Sequence, residues 1–157
     1  MFRSILLWKY YTIKTTFRGK IGADVLVIAE GPETAASLAD ATFAVGNKIP
    51  ILASLSLGNM QNMKSVIVDH WKPKKVIIAA DNDNEENLPQ VISDLENFLR
   101  NSGIEVVIAI PQLESGTKCD WNDVLKAHGR DYLRNIFLPH IISKGEKWKV
   151  KIHWKVK

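Results

Sequence analysis

Val25-Leu26-Val27-Ile28-Ala29-Glu30-Gly31-Pro32-Glu33 and Val76-Ile77-Ile78-Ala79-Ala80-Asp81-Asn82-Asp83 are built alike, each an apolar run closed by carboxylates. Runs this short and this rich in β-branched residues predict strands of a parallel sheet buried on both faces. The acids then stand at the carboxyl ends of their strands. In open α/β sheets ligands bind at that edge, above all where neighbouring strands send their connections to opposite faces. If the first and third strands of the series are neighbours, Glu30, Asp81 and Asp83 come together.

Three carboxylates ~5 Å apart, at an effective dielectric of ~20, repel by roughly 3 kcal/mol per pair, a large share of a small domain's stability. Such a cluster expects a cation. Oxygen ligands without His or Cys suit a hard ion, Mg²⁺ or Mn²⁺, which keeps several waters and bridges to phosphate oxygens. Each acid taken singly also fits a loop residue or a helix N-cap, where carboxylates are favoured without any ligand.

The rest of the chain continues the pattern. A strand over 24–29 leads through Glu30-Gly31-Pro32 into a helix over 33–43, with Pro32 where a helix start tolerates it. A second strand over 49–55 ends at Ser56-Leu57-Gly58-Asn59, and a helix over 60–70 follows, with Met60 and Met63 as core filler. The backbone amides of Gly58 and Asn59 are candidates to face a phosphate, or to form an ordinary strand-to-helix turn. The lysines of Lys72-Pro73-Lys74-Lys75 precede the third strand, at the end away from the acids, and are expected to be solvated. A helix over 85–101 carries Val91, Ile92, Leu95, Phe98 and Leu99 on one stripe. The fourth strand covers 105–110. A polar loop with Lys118, a candidate phosphate contact, then delivers Asp120-Trp121-Asn122-Asp123 at the start of a helix to about 128, and residues 132–137 add a final helical turn before Pro139. Asp120 and Asp123, three apart, fit both a capping box and a pair of metal ligands. Strand and helix alternate four times, so right-handed crossovers predict an α/β fold with a parallel sheet between helix layers.

At 157 residues and 46% hydrophobic content the chain suits one compact domain with appendages. A single cysteine, Cys119, excludes an internal disulfide and a Cys-rich zinc ribbon. The net charge of +4 is segregated: residues 1–20 carry +5 and residues 144–157 another +5, leaving −6 between them. An acidic centre fits a metal site, and basic ends fit nucleic-acid phosphates. Residues 10–17 are β-prone and could pair on a sheet edge. From Lys147 to Lys157 apolar and cationic residues alternate as in a strand, ready to dock on an edge or to stack Trp148 and Trp154 on unpaired bases. Ile5-Leu6-Leu7-Trp8 is too short for a membrane span and no cleavage site follows, so no membrane association and a cytoplasmic location are expected. A flavodoxin-like phosphate loop would be Gly- and Ser-rich after the first strand, where Glu30 and Glu33 stand.

Glu30-Gly31-Pro32-Glu33-Thr34-Ala35, then Asp81-Asn82-Asp83, then Asp120-Trp121-Asn122-Asp123-Val124-Leu125, in this order over residues 22–137, resemble the TOPRIM domain, most closely that of phage and plasmid primases. The resemblance implies a Rossmann-like three-layer domain over 22–138, with sheet order 2-1-3-4 and termini (1–21 and 139–157) that could add edge strands. It implies Mg²⁺ or Mn²⁺ at Asp81 and Asp83, with Asp120 and Asp123 as secondary ligands, and Glu30 as catalytic general acid or base or a further ligand. The function it implies is nucleotidyl transfer in primer synthesis, during plasmid or phage replication or conjugation. Single-stranded DNA or another nucleic acid, nucleoside triphosphates and separate polymerase or helicase subunits would be the partners. Alternatives are a TOPRIM nuclease and a non-catalytic fragment or binding module. Where many relatives place a glycine after the Asp-x-Asp, this chain has Asn84-Glu85-Glu86-Asn87.

Overall fold

Ala53, Ala29, Ala79 and Ala109 lie side by side, in register, at the carboxyl ends of four parallel strands. These are β2 (Val25–Ala29), β3 (Ile51–Ala53), β4 (Lys75–Ala79) and β5 (Glu105–Ala109), hydrogen-bonded in the order β3-β2-β4-β5. Numbered from β2, that is the expected 2-1-3-4. A fifth strand, β1 (Thr16–Arg18), pairs antiparallel with β3 at the sheet edge. The structure, a computed structural model, describes residues 16–18, 22–42, 49–83, 88–113 and 117–142. Most of the basic N-terminal segment, the stretch 84–87 and residues 147–157, whose alternation predicts a strand, lie outside the described residues.

Side chains alternate along each strand, and the alternation sorts two cores. Val27, Ala29, Ile51, Ala53, Ile77, Ala79 and Ala109 pack with α1 (Pro32–Thr42) and α4 (Trp121–Ile141). Leu26, Ile28, Leu52, Val76, Ile78 and Val106 pack with α2 (Leu57–Asn62), a π-helical turn (Val66–Trp71) and α3 (Gln90–Asn101). Burial on both faces is why the strands read as unbroken apolar runs. The four alanines need bulk from the helices opposite, and Leu38, Trp121 and Phe137 supply it. The connection leaving β2 crosses the α1 face, and the connection leaving β4 crosses the α3 face. The crevice between β2 and β4 is therefore the switch point at which such sheets take their ligands.

Three helices depart from expectation. The helix predicted over 60–70 is two pieces: α2 begins at Leu57, capped by Ser56, and the β-branched run Val66-Ile67-Val68 passes into the π-helical turn. That turn closes with a bond from the Lys72 amide to the Ile67 carbonyl, Lys72 taking a left-handed conformation before Pro73. The helix predicted from 85 begins at Gln90, because Pro89, at the N-cap with ψ of 136°, biases Leu88 away from helical geometry. Within α3, Ile92, Leu95 and Leu99 are buried, whereas Phe98 is 37% exposed beneath the Lys64 ammonium.

Finally, α4 is not a short helix and a separate turn but runs from Trp121 to Ile141, bent at Gly129. Leu133, Phe137 and Ile141 bury one stripe of its second half, and the Trp121 and Phe137 rings meet edge to face at 5.0 Å across the bend. Lys72 and Lys74 are exposed as expected, but Lys75 is not. It is 7% exposed because it opens β4 directly opposite Glu105, to which its ammonium bonds at 3.3 Å. Among the described residues no helix is long and apolar enough to cross a membrane.

Gly129 sits at φ 82°, ψ 174°, a region essentially reserved for glycine. A Cβ built there meets nothing within 4 Å, so the whole cost of a side chain is conformational. Gly129→Ala is expected to lower stability by about 1–3 kcal/mol in urea unfolding. An unchanged midpoint would contradict the bend.

Candidate metal centre at the carboxyl edge of the sheet

Glu30 is the first residue beyond β2, and two contacts hold it. Its carbonyl oxygen accepts from the buried Ser54 hydroxyl at 3.3 Å, and its carboxylate accepts the backbone N–H of Leu57 at the start of α2. Burial, and next the charge of Asp83, push the Glu30 carboxyl above its ordinary value, while the Leu57 amide opposes them. Asp81 stands across the β2–β4 crevice, where Ala29 and Ala79 are paired. Its Oδ1 is buried and has no hydrogen-bond partner. Burial raises its pKa most, followed by Glu30, Asp120, Asp83 and Asp123, which together bring it to about 6.

Asn82, between the two aspartates, is a clamp that joins three segments. Its amide donates to the Cys119 carbonyl at 2.8 Å, and the Cys119 amide returns a bond to the Asn82 carbonyl at 3.0 Å. Its side-chain Nδ2 donates to the Pro111 carbonyl at 3.1 Å. The loop beyond β4 is thereby tied to the loop beyond β5 and to the start of α4. Because Cys119 immediately precedes Asp120, the same bridge sets Asp120 beside Asp81. The Cys119 thiol is buried, points at the Pro111 carbonyl, and is pushed up by burial and then by Asp123, which suits packing rather than nucleophilic work.

Asp120 and Asp123 form a full capping box. The Asp123 amide donates to Asp120 Oδ1 at 2.7 Å, and the Asp120 amide donates to Asp123 Oδ2 at 3.1 Å. Capping is thus one role of the pair, and each keeps a second oxygen toward its surroundings. Lys126 approaches that of Asp123 at 3.9 Å. Ser37 of α1 donates to the Asn122 side chain at 3.1 Å, locking this helix start against α1.

The structure thus brings Glu30, Asp81, Asp83, Asp120 and Asp123 into one field of mutual repulsion. It places the remaining candidates differently. Gly58 and Asn59 lie in α2, where the Asn59 amide is taken by the Ser56 hydroxyl at 3.2 Å and the neighbouring Leu57 amide by Glu30. Lys118 is exposed, one residue before Cys119. Five residues of the site had no sign of these roles in the sequence reading: Ser54, Asn82 as a clamp, Ser37 and Asn122 as a pair, and Leu55, whose backbone is left-handed at φ 70°.

Among the described residues, no three carboxylate, imidazole or thiol groups form a ready-made coordination shell. Mg²⁺ does not require one, since it commonly takes one or two carboxylates and completes its sphere with water and phosphate. The buried, unpartnered Oδ1 of Asp81 and an all-oxygen donor set fit such an ion. A family model described as Toprim domain matches residues 25–131, more than half of the chain. Comparisons with curated proteins and with solved structures give no match.

The raised Asp81 carboxyl has a consequence for stability. Its folded value of about 6 exceeds the ordinary 3.8, so the folded protein binds this proton more tightly than the unfolded chain. The resulting penalty is absent below pH 3.8, grows as pH rises toward 6, and is complete above that. Asp81→Asn is therefore expected to stabilise the metal-free protein by about 1–2 kcal/mol at pH 7, allowing for solvent screening at a half-exposed group. Chemical denaturation at pH 7 and pH 4 checks this, with the gain vanishing at the lower pH. A loss of stability at pH 7 would contradict it.

Proposed function

The chain belongs to the Toprim domain family, a group of modules in Mg²⁺-dependent nucleic-acid metabolism, and from that premise we propose that its acidic edge is the catalytic centre of a primase-type nucleotidyltransferase. The observation that carries the proposal is the Oδ1 of Asp81, buried without a partner and surrounded by four further carboxylates. An anionic edge of this kind repels a phosphodiester. It becomes a phosphate site when a divalent cation is present.

Asp81 and Asp83 would hold the ion, with the outer oxygen of Asp120 and the adjacent Asp123 in support. When bound, Mg²⁺ neutralises charge on the phosphate oxygens of substrate and transition state. Glu30 is suited to proton transfer. Burial and then Asp83 raise its carboxyl above the ordinary value, which makes it a stronger base for taking the proton of an attacking hydroxyl. The Leu57 amide and the Ser54 hydroxyl fix Glu30 in place, so that its direction does not depend on the substrate. Asn82 keeps the two acidic loops in register with one another. Lys118, exposed one residue before Cys119, would meet a phosphate of the incoming strand. Single-stranded DNA and nucleoside triphosphates are the substrates this reading assigns. Polymerase or helicase subunits supplied separately would complete the machine.

Mn²⁺ titration followed by NMR line broadening tests the centre. Glu30, Asp81 and Asp83 are expected to broaden first, and Asp81→Asn to abolish the effect. Incubation with single-stranded template and ribonucleotides then tests the chemistry, with templated ribonucleotide products expected. Cleavage of supercoiled plasmid without nucleotides would replace priming by a nuclease function. Metal binding with neither product would make the chain a binding module.

A further inference from the structure

The turn from β3 into α2 is hydrogen-bonded on both sides of a residue that takes no part in it. Before that residue, the Ser54 amide donates to the Ala29 carbonyl at 2.9 Å, and the Ser54 hydroxyl lies within reach of the Glu30 and Ser56 carbonyls. After it, the Ser56 hydroxyl caps α2 at the Asn59 amide. Between them stands Leu55, at φ 70° and 44% exposed. Left-handed backbone is costly for a bulky side chain and natural for glycine or asparagine. The turn itself gains nothing from leucine at this position, and solvent does not favour one either. Strain and apolar exposure at the same residue, next to Glu30, point to a contact made with something outside the chain.

A second apolar side chain flanks the acids on the other side. Ile110, the first residue beyond β5, is 41% exposed. In the order β3-β2-β4-β5, Leu55 follows its strand by two residues, Glu30 by one, Asp81 by two and Ile110 by one, so the carboxylates belong to the two middle strands of the four and the apolar residues to the flanking ones. Three strand spacings separate the flanks by ~14 Å, about the length of four stacked nucleotides. The middle of this edge is anionic, and Lys126 beside it already leans on Asp123. The carboxylates therefore repel a polyanion wherever a divalent cation does not offset them, and contacts to the bases add an attraction that does not depend on charge.

We propose that Leu55, together with Ile110 on the opposite flank, seats the unpaired bases of a single-stranded nucleic acid lying across the acidic edge. The inference rests on the nucleic-acid function proposed above and adds to it how the strand is held. A duplex hides its base faces in the stack, whereas a single strand offers them to an apolar side chain.

The test uses Leu55→Gly and Leu55→Asn in the full chain, both residues being suited to a left-handed backbone. Binding of a labelled short oligothymidine, intact or with its bases removed, is followed by fluorescence anisotropy with Mg²⁺ and no nucleotides. Thermal melting of the same proteins is measured alongside. Both variants are expected to melt within about 2 °C of the parent or above it, and to bind the intact strand at least about fivefold more weakly. On the abasic strand, parent and variants should bind equally. Should Leu55→Gly melt lower through lost side-chain contacts, Leu55→Asn, which keeps most of the volume, decides. Unchanged affinity for the intact strand, or an equal loss on intact and abasic strands, overturns the proposal. A parent protein that broadens with Mn²⁺ but binds no strand overturns it and leaves the metal centre standing. A parent that does neither removes both.

Discussion

Repulsion among five carboxylates at the β2–β4 crevice is the constraint on which the rest of the structure depends. Asp81 is the centre of it, half withdrawn from water and pushed to about pH 6 by burial, Glu30, Asp120, Asp83 and Asp123. A chain free to relax would spread these groups into solvent. It does not, because four of the five are fixed through backbone that cannot move without breaking a ladder or a helix cap. Glu30 and Asp81 follow strands buried on both faces, and Asp120 and Asp123 are held by their own capping box.

The fold offsets the penalty in layers. Two apolar cores, one on each side of the sheet, supply the driving force, at about 25 cal/mol for each Å² of apolar surface removed from water. The alanine row at the strand ends lets α1 and α4 close over the sheet near the acidic edge, and the Trp121–Phe137 contact holds the bent α4 there. Above that base, hydrogen bonds set direction. Asn82 ties the loops beyond β4 and β5 to α4, Ser54 ties β3 to β2, and Ser37 ties α1 to the α4 start. These bonds fix the acidic loops relative to one another through the protein's own groups.

Much of this was legible in the residues, and the reason is local. Apolar runs closed by acids gave the strands, because a strand buried on both faces has no other pattern available to it. Asp120 and Asp123 announced a capping box by their spacing alone. The strand order was not legible from periodicity and came through the resemblance to TOPRIM domains. What the sequence concealed is non-local or conformational. Nothing near Asn82 shows that it bridges to Cys119, since that pairing depends on how two loops meet at the sheet edge. The left-handed Leu55 has no sign in composition, and turn rules would place glycine or asparagine there. The residues showed a helix to about 128 and a further turn over 132–137, yet only the packing of Leu133, Phe137 and Ile141 shows that the two are one helix bent at Gly129. Lys75 looked solvated because its partner, Glu105, is contributed by a strand thirty residues later.

The most direct measurement is a carbon-detected NMR titration of the Asp81 carboxyl, performed without divalent ions and again with Mg²⁺. The account predicts a midpoint near 6 in the metal-free protein, and a clear fall when Mg²⁺ takes the place of the proton. A midpoint at the ordinary aspartate value, unchanged by Mg²⁺, would mean that the carboxylates do not share one field, and the metal centre would be contradicted.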